Sequence, residues 1–303
     1  MSDAVTLSDP VARALRNGAP VVALESTIIT HGLPQPDNLR AAREFEQTVA
    51  DRGAVPATIA VLDGVAHIGL GSDELERLAG AGGAIKLSAR DLPVAMARGA
   101  TGGTTVAATS LLAANAGIRL FATGGIGGVH RGASATFDES ADLGILGSCP
   151  ITVVSAGIKS ILDIGATLER LETLGVTVLV HGSDRFPAFW LTDSGFTVDT
   201  PVSGAEEIAR VMRAADAIGH ARGILVANPL PESAQLDPAL HDRLLAQALA
   251  AADAAAVRGK DITPFLLDYI HEHTGRASVE VNLEIVRGNC RLAADVARAF
   301  AAL

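Results

Sequence analysis

Lysine is scarce in this chain of 303 residues. Of its 24 basic residues, 21 are Arg, and the three lysines are Lys86, Lys159 and Lys260. A lysine amine can lose its proton near neutral pH and form an imine with a carbonyl compound, which a guanidinium does not do. Lys86 and Lys159 stand in apolar stretches, AIKLS and AGIKS, where predicted strands end, and apolar surroundings favour the neutral amine. Both are therefore candidates for a chemical role, whereas Lys260, in RGKD, is predicted to be an ordinary loop residue.

Other absences narrow the class of protein. Cysteine occurs only at Cys149 and Cys290, which is too few for a disulfide framework and is typical of a cytosolic protein. No apolar run approaches the roughly 20 residues of a membrane-spanning helix. The acidic, proline-containing start, MSDAVTLSDP, is unlike a signal peptide. We therefore expect a cytoplasmic protein with no membrane partner.

Aromatic residues make up only 3% of the chain, whereas 49% of its residues are apolar. The core must therefore consist mainly of Ala, Val, Leu and Ile side chains. The formal net charge of −10 argues against binding to a nucleic-acid polymer or to an anionic membrane, because like charges repel. If the ligand is anionic, its site must carry local positive charge despite the negative net charge of the chain.

Apolar runs of strand length alternate with helical patterns from Pro20 onwards. The string VPATIAVLDGVAHIGL, with its Asp63-Gly64 turn signal, predicts a β-hairpin. No linker or internal repeat divides the chain, so we predict one α/β domain over residues 1–303. Its expected architecture is a three-layer α/β/α arrangement with a largely parallel or mixed central sheet. No element is predicted before Pro20.

The glycine-rich segment Ala122–Leu143 is the most distinctive part of the sequence. A buried strand, Ile118–Ala122, precedes it, and the spacing of Thr136 and Glu139 predicts a capping box that opens a helix. A strand, a glycine-rich loop and a helix in this order are typical of the ligand-binding edge of a parallel sheet. Glycines let the backbone approach a ligand closely and offer its amides to an anion. They are Gly124, Gly125, Gly127, Gly128 and Gly132.

Two known glycine motifs do not match this segment. The dinucleotide fingerprint requires glycine where this chain has His130, and a Walker loop requires a lysine that the segment lacks. The alternative to a ligand site is a tight turn that only needs positive φ angles. The side chains of His130, Arg131, Asp138 and Asp142 favour the ligand site. If Asp138 begins the helix, Asp142 lies one turn further on the same face.

Two other strand ends carry polar groups. Glu25 follows an apolar run, and it either faces a ligand or caps the next helix; because Asp37 and Asn38 already supply caps, we favour the ligand. The residues Gly102–Val106 are predicted to open a helix that reaches Asn115. That helix start is either a phosphate cradle of amides and threonine hydroxyls or a plain threonine N-cap, and the sequence favours neither.

At eight places the sequence resembles the pseudouridine-5′-phosphate glycosidase family. The resemblance implies an α/β/α fold, a homotrimer and one divalent cation per subunit, usually manganese (Mn²⁺). It also implies the reversible conversion of pseudouridine 5′-phosphate to uracil and ribose 5-phosphate. The matching strings occur in the family's order over roughly Pro20 to Leu303 and are ALESTIITHG, KLSARDLP, TGGTTVAAT, FATGGIGGVHRG, TFDESADL, SAGIKSILD, ANPLPE and GKDITPFLL.

The resemblance also implies roles for individual residues. Lys159 in AGIKS matches the family's nucleophilic lysine, and Glu25 in ALEST matches its proton donor. Asp138 matches the position that holds the metal. The residues that match substrate-binding or pocket-lining positions are Lys86, Val106, Thr123, His130, Ser140, Ala141, Asp142 and Asn282.

A lysine suits the chemistry that this activity requires. In pseudouridine the sugar C1′ is joined to a carbon of uracil, and a carbon leaving group needs an electron sink such as an imine at C1′ of the ring-opened ribose. Two other functions stay open. A Schiff-base aldolase acting on another sugar phosphate accounts for Lys159 equally well, and a non-enzymatic sugar-phosphate sensor requires neither Lys159 nor Glu25.

Overall fold

The computed structural model describes residues 4–257, 259 and 262–303. Lys260, for which the sequence predicts a loop position, lies outside the described residues. Runs rich in Val, Leu, Ile and Ala form the strands, because these side chains pack well on a pleated, buried surface. The strands are β1 (Val5–Leu7), β2 (Val21–Leu24), β3 (Val55–Leu62), β4 (Val65–Ile68), β5 (Ile85–Leu87), β6 (Gly102–Thr104), β7 (Leu120–Ala122), β8 (Thr152–Ser155), β9 (Thr177–His181), β10 (Pro201–Val202) and β11 (Ile224–Ala227).

Helices connect most of these strands. Several begin at a polar side chain that accepts a backbone N–H of the first turn, such as Asp163 for the helix that follows β8. The helices are α1 (Asp9–Arg16), α2 (Asp37–Asp51), α3 (Ser72–Gly80), α4 (Leu92–Ala97), α5 (Val106–Asn115), α6 (Ala133–Thr136), α7 (Ala141–Leu146), α8 (Ile164–Thr173), α9 (Ala205–Ala217), α10 (Pro238–Ala254), α11 (Ile262–His273) and α12 (Ala277–Ala301).

The strands form one mixed sheet in the order β1-β4-β3-β2-β7-β8-β11-β9-β10. From β3 to β10 every neighbouring pair is parallel, as expected for strands joined by helical crossovers. The long strand β3 pairs parallel with β2 through its first half and antiparallel with β4 and β6 through its second half. The predicted β3–β4 hairpin and the predicted largely parallel or mixed sheet are confirmed.

Two groups of helices pack on this sheet. One group centres on α12, which contacts β2, β7 and β8 as well as α2 and α9. The other centres on α5, which contacts α7 together with β2 and β3. Central strand residues such as Val22, Phe121, Val154 and Val226 are fully buried between the layers. No helix in the described part of the chain combines the length and the apolar composition needed to cross a membrane.

The structure differs from the prediction before Pro20 and at Gly102–Val106. Residues before Pro20 form β1 and α1, and β1 extends the sheet by pairing with β4; a strand of three residues has too little periodicity to be recognised in sequence. The predicted helix start at Gly102–Val106 is partly strand, because Gly102 and Gly103 belong to β6 and the helix begins only at Val106. A Cβ at Gly102 would lie 2.4 Å from the carbonyl oxygen of Ile85 in β5, so the close pairing of β5 and β6 requires glycine there.

Buried hydroxyl groups link the strands beside the site. Ser26 Oγ donates to the carbonyl oxygen of Ile59 at 2.6 Å and accepts the backbone N–H of Thr104 at 2.9 Å. Thr104 Oγ1 donates to the same Ile59 oxygen at 2.6 Å. These bonds fasten the segment after β2 to β3 and β6. Ser110 on α5 is equally buried, but its Oγ has no hydrogen-bond partner among the described residues.

The two serines therefore predict opposite effects of the same substitution. Ser26→Ala leaves the buried Thr104 N–H without its acceptor and is expected to lower the free energy of unfolding by about 1–3 kcal/mol. Ser110→Ala removes an unsatisfied hydroxyl from a helix and is expected to be neutral or stabilising by roughly 0.5 kcal/mol. Urea unfolding followed by circular dichroism measures both values. Equal losses in the two variants would contradict this account of the hydroxyl cluster.

Candidate active site

The carboxyl ends of β2, β7 and β8 meet at one edge of the sheet. Leu24 pairs with Ala122, and Ala122 pairs with Val154, so the strands end at the same level. Glu25 and Thr123 directly follow the first two of these strands. Since parallel strands deliver their following loops to one edge, the register brings the predicted proton donor beside the glycine-rich segment.

The sheet's backbone pairing continues past the strand ends. Ala156 N–H donates to Gly124 O at 2.9 Å, and Ile126 N–H donates to Gly157 O at 3.0 Å. Lys159 N–H then donates to Ile126 O at 3.1 Å. The glycine-rich loop therefore lies alongside the loop that carries Lys159, and Lys159 itself is half-buried at the end of this ladder.

Glu25 lies at the centre of this edge. Its carboxylate accepts hydrogen bonds from the hydroxyl groups of Thr27 and Thr123. It is half-buried and lines a small cavity of about 20 Å³ that Phe45 and Val286 help to close. Glu25 therefore lines a cavity together with Thr123, and the expected ligand at Glu25 stays a prediction.

Close packing explains three glycines of the loop, Gly125, Gly127 and Gly128, whereas Gly132 has the positive φ angle of a tight turn. Gly124, Gly125, Gly127 and Gly128 have no positive φ angle, so the turn alternative does not account for them. A Cβ at Gly127 would lie 2.3 Å from Ser140 Oγ, and a Cβ at Gly125 would lie 2.6 Å from Cδ2 of Phe189. The loop needs glycine because side chains of this protein press against it.

Asp142 joins the glycine-rich loop to helix α5. Its Oδ1 accepts the N–H of Ala107 at 2.9 Å, and its Oδ2 accepts the N–H of Gly127 at 2.8 Å. The carboxylate is buried, and it supplies negative charge to the N-terminus of α5, where the helix dipole favours an anion. Asp142 therefore acts as a structural clasp, and its predicted contact with substrate stays a prediction.

The predicted helix start in this segment is wrong. Ser140 is the N-cap of α7, because its Oγ accepts the N–H of Asp142 at 3.2 Å, and Ala141 is the exposed first residue of the helix. Thr136 instead ends the short helix α6. Asp138 precedes α7, so it does not share a helix face with Asp142. The helix is capped by Ser140, which accepts the Asp142 N–H, and not by Thr136, which would have had to accept the N–H of Glu139.

His130 and Asp138 face each other across the loop. His130 N–H donates to the carbonyl oxygen of Asp138 at 3.0 Å. Burial lowers the pKa of His130, and the negative charge of Asp138 opposes part of that shift. The lowered pKa favours the neutral form of His130 near pH 7, and in that form the imidazole can accept a proton and can donate or accept a hydrogen bond. No group of three or more His, Cys, Asp or Glu side chains with the geometry of a metal site occurs in the described residues.

The start of α5 offers little free backbone to an anion. Thr105 Oγ1 accepts the N–H of Ala108 at 3.4 Å, which supports the threonine N-cap, and Asp142 already occupies the N–H of Ala107. The N–H of Val106 has no hydrogen-bond acceptor among the described residues. Val106 is therefore the one amide of this turn available to a phosphate, in keeping with its predicted backbone role.

Lys86 does not lie where the sequence suggested. It stands in the middle of β5 and is exposed, so the predicted apolar surroundings at a strand end are wrong. Of the three residues of β5 only Leu87 is buried, and its apolar neighbour Ile85 is exposed like Lys86. Burial, followed by the positive charge of Lys86, lowers the pKa of His31. Lys86 is thus close to the segment that follows Glu25, as a substrate-binding role requires.

Three side chains on one face of helix α12 point toward the sheet edge that carries Thr123 and toward Trp190. Asn282, Val286 and Asn289 follow the i, i+4, i+7 spacing of a helix face. Val286 lines the cavity at Glu25, and Asn289 Nδ2 donates to the carbonyl oxygen of Thr123 at 2.7 Å. Asn282 Oδ1 accepts the indole N–H of Trp190 at 2.6 Å. Asn282 therefore looks inward, as the sequence predicted for an asparagine inside a helix.

Sequence reasoning missed Asn289 and the residues behind it. Asn289 Oδ1 accepts from Asn228 Nδ2 at 3.0 Å, and Asn228 Oδ1 lies 2.9 Å from His181 Nδ1. The i+7 spacing from Asn282 is the signal that could have identified Asn289. These three side chains also line a larger groove of about 300 Å³ that contains neither Glu25 nor Lys159. We place the candidate site at the smaller cavity because Glu25 and Thr123 line it, and the loop that begins at Thr123 pairs with the loop that carries Lys159.

Comparison with known proteins identifies the family of this chain. Residues 10–299 match the family model described as indigoidine synthase A like protein. A protein of Frankia alni named pseudouridine-5′-phosphate glycosidase is 58% identical over 298 residues, which is 98% of this chain and 82% of that protein. A protein of Saccharopolyspora erythraea with the same name is 54% identical over 97% of each chain. The chain belongs to the pseudouridine-5′-phosphate glycosidase family of enzymes.

Solved structures share the fold of this pseudouridine-5′-phosphate glycosidase family member. The prealnumycin C-glycosynthase, in a complex with ribulose 5-phosphate, is 35% identical with a TM-score of 0.92 and covers 100% of this chain and 98% of its own. An indigoidine synthase A-like protein of Thermotoga maritima is 32% identical with a TM-score of 0.87, covering 97% of this chain and 95% of its own. The α/β fold class predicted from the sequence is therefore confirmed.

The clasp at Asp142 predicts a specific loss of stability. Asp142→Asn keeps one acceptor oxygen but turns an NH₂ group toward the second backbone N–H, which should cost about 1–3 kcal/mol of unfolding free energy. The exposed Asp199 provides a control that removes the same charge, and Asp199→Asn should change stability by no more than about 0.5 kcal/mol. Urea unfolding of both variants measures the two changes in unfolding free energy. Equal changes would show that net charge, and not the clasp, is responsible.

Proposed function

We propose that this protein reversibly cleaves the C–C glycosidic bond of pseudouridine 5′-phosphate to give uracil and ribose 5-phosphate. The observation that carries the proposal is the convergence of an acid and a lysine at one sheet edge. Thr123 donates to the carboxylate of Glu25 and begins the loop whose Ile126 carbonyl accepts the backbone N–H of Lys159. Relatives that are 58% and 54% identical carry the name of this activity.

The proposed reaction begins with opening of the ribose ring. Glu25, in its acid form, protonates the ring oxygen as the bond from that oxygen to C1′ breaks. The amine of Lys159 bonds to C1′ and loses one proton, which Glu25 takes up. Neutral His130, close to the same loop, is available to bind a hydroxyl of the opened sugar.

Cleavage of the C–C bond follows from the amine adduct. The lone pair of the Lys159 nitrogen forms a C=N bond to C1′ while the bond from C1′ to uracil C5 breaks. The electron pair of the broken bond stays on uracil, where C5 receives a proton from Glu25. Water then hydrolyses the protonated imine, releases ribose 5-phosphate and returns the proton to Glu25.

A direct assay tests this function against the aldolase and the sensor. Incubation with pseudouridine 5′-phosphate should release free uracil, and ribose 5-phosphate with uracil should run the reaction in reverse. A Schiff-base aldolase would form an imine with a sugar phosphate but would show no dependence on uracil. A sensor would bind a sugar phosphate and form no covalent adduct. Absence of uracil release by the folded protein would refute the proposal.

The covalent step gives the first prediction on activity. Lys159→Arg keeps the positive charge but cannot form an imine, so it should be as inactive as Lys159→Ala. Borohydride added with ribose 5-phosphate should leave a reduced adduct, and peptide mapping should place it on Lys159. Because the chain has only three lysines, the map is unambiguous. Lys86→Arg is the matched control and should keep the adduct; an adduct on Lys86 in the unmodified chain would exchange the two roles.

The proposed role of Glu25 as the acid gives the second prediction on activity. Glu25→Gln preserves the shape of the side chain but removes its titrating group, so kcat should fall by ~10²–10⁴-fold while KM changes little. Steady-state rates of uracil release measure both constants. Glu169→Gln, at an exposed position, is the matched control and should behave as the unmodified protein does. A change confined to KM in the Glu25 variant would make Glu25 a binding residue.

We also propose a divalent cation, Mn²⁺ or a similar ion, at Asp138, one per subunit. The described residues offer this single carboxylate and no cluster of three ligands, so the ion would be held mainly by water and substrate, as hard cations allow. Its charge would help to bind the phosphorylated substrate. Exhaustive dialysis against a chelator should suppress activity, and added Mn²⁺ should restore it.

Asp138→Asn should raise the Mn²⁺ concentration needed for half-maximal activity by at least about tenfold, because the ion loses its charged protein ligand. The paramagnetic resonance signal of free Mn²⁺ gives a second readout, since the unmodified protein should reduce that signal more than the variant. Full activity after chelation, or equal Mn²⁺ binding by both proteins, would contradict this site.

The proposal includes the oligomeric state of the protein and its place in the cell. The resemblance to the family supports a homotrimer, which light scattering at micromolar concentration should detect as a mass of three chains. It also supports action in the cytoplasm on a small phosphorylated substrate. A monomer with full activity would remove the trimer from the proposal without affecting the chemistry at Lys159.

A further inference from the structure

Ser160 directly follows Lys159 in the sequence and is held by its side chain. Its Oγ lies 2.7 Å from Nε2 of His241, although the two residues are 81 positions apart in the chain. Both residues are buried, each with 3% of its surface exposed, whereas Lys159 is only half-buried. The neighbour of the lysine is therefore fastened to a distant part of the chain.

The second contact of His241 fixes the direction of this hydrogen bond. Nδ1 of His241 lies 3.0 Å from Oδ1 of Asp242, and because a carboxylate only accepts, Nδ1 carries the proton. In the neutral imidazole the lone pair is then on Nε2, which accepts the hydroxyl proton of Ser160. The hydrogen bond therefore runs from the loop that carries Lys159 to helix α10.

His241 has a fixed place at the start of α10. Its N–H donates to the carbonyl oxygen of Asp237 at 2.9 Å, and the side chain of Asp237 caps the helix by accepting the N–H of Leu240 at 2.7 Å. The ring of the fully buried Trp190 lies edge-on to the imidazole, with the ring centroids 6.2 Å apart. The imidazole is thus held by its helix and by packing, so it is a firm anchor for Ser160.

This anchor acts on the part of the loop that lies between two backbone hydrogen bonds. Lys159 and Asp163 each donate their N–H to the glycine-rich segment, at 3.1 and 2.9 Å. Between them, the carbonyl oxygen of Ser160 has a long contact of 3.4 Å with the guanidinium of Arg131. The hydrogen bond of the Ser160 side chain to His241 is much shorter, so it contributes more to the position of the residue next to Lys159.

A serine, a histidine and an aspartate in contact in this order also form the triad of many hydrolases. In such a triad the serine oxygen must reach the substrate. Ser160 is buried and lines neither the cavity at Glu25 nor the larger groove, and Asp242 is exposed to solvent. The arrangement therefore suits the holding of a loop and does not suit attack by the serine on a substrate.

We propose that His241 is a positioning residue for Lys159, which it keeps aligned with the sugar carbon by holding Ser160. The inference rests on the proposed function and adds a residue of α10 to the groups on which the reaction depends. Misplacement of a reacting group by about 1 Å can slow a reaction roughly 100-fold. Loss of the hydrogen bond should therefore slow imine formation while substrate binding changes little.

Three variants separate the hydrogen bond from the packing. His241→Phe keeps a ring against Trp190 but has no acceptor, and Ser160→Ala removes the donor. In both, kcat for uracil release should fall about 10- to 100-fold while KM changes by less than about threefold. His241→Gln keeps an acceptor that can reach Ser160 and should recover most of the rate. His273→Phe, at an exposed position, is the matched control and should behave as the unmodified protein does.

The covalent step can also be timed by itself. Saturating ribose 5-phosphate and borohydride are added together, and the reduced adduct on Lys159 is quantified by peptide mapping at successive times. The adduct should form about 10- to 100-fold more slowly in His241→Phe and in Ser160→Ala. The double variant should be no slower than either single variant, because both substitutions remove the same hydrogen bond.

The outcomes distinguish this inference from the proposed function. If the unmodified protein forms the adduct and the folded single variants form it equally fast, the inference is overturned and the proposed function stands. Additive losses in the double variant, or a His241→Gln variant as slow as His241→Phe, would overturn the inference as well. If the unmodified protein forms no adduct and releases no uracil, the proposed function fails and the inference fails with it. Circular dichroism checks folding, and Ser160→Ala, the smallest change, decides the question if His241→Phe does not fold.

Discussion

The candidate site depends on backbone hydrogen bonds that continue beyond the ends of the strands. Beyond β7 and β8 the chain still exchanges hydrogen bonds, with Ile126 donating to Gly157 and accepting from Lys159. This pairing fixes the position of the lysine relative to the acid, because Thr123 at the start of the same loop donates to Glu25. A lysine on a free loop would sample many positions, whereas here its main chain is part of a ladder. Orientation of that kind is a large part of what a catalytic site supplies.

The loop can stay in this ladder only because it lacks side chains where others press on it. Gly127 lies against Ser140, and Asp142 then holds the amides of Gly127 and Ala107 with one carboxylate. The same carboxylate occupies the positive end of α5. A phosphate at that end would meet a negative charge already in place, which makes the dipole of α5 a poor anion site while Asp142 is ionised.

Periodicity and strand-end polarity predicted much of this molecule. The parallel core, the hairpin of β3 and β4, and the position of Glu25 follow from apolar runs and the residues after them. The short strands β1 and β6 were missed because three residues carry almost no periodic signal, and β6 depends on the contact between Gly102 and Ile85. Asn289, Trp190 and the true cap at Ser140 became evident only in three dimensions, since their partners lie far away in sequence or compete with a similar local pattern.

Helix α12 has a consequence for how the protein is made. Its Val286 lines the cavity at Glu25, and its Asn289 binds the carbonyl oxygen of Thr123; Glu25 and Thr123 directly follow β2 and β7, which lie in the first half of the chain. During synthesis on the ribosome, α12 can pack on these strands only after nearly all of the given sequence has emerged. Until then, the apolar face that α12 covers on β2, β7 and β8 is open to water and to other nascent chains. Such late, long-range closure makes folding slow and gives chaperones a defined surface to protect during synthesis.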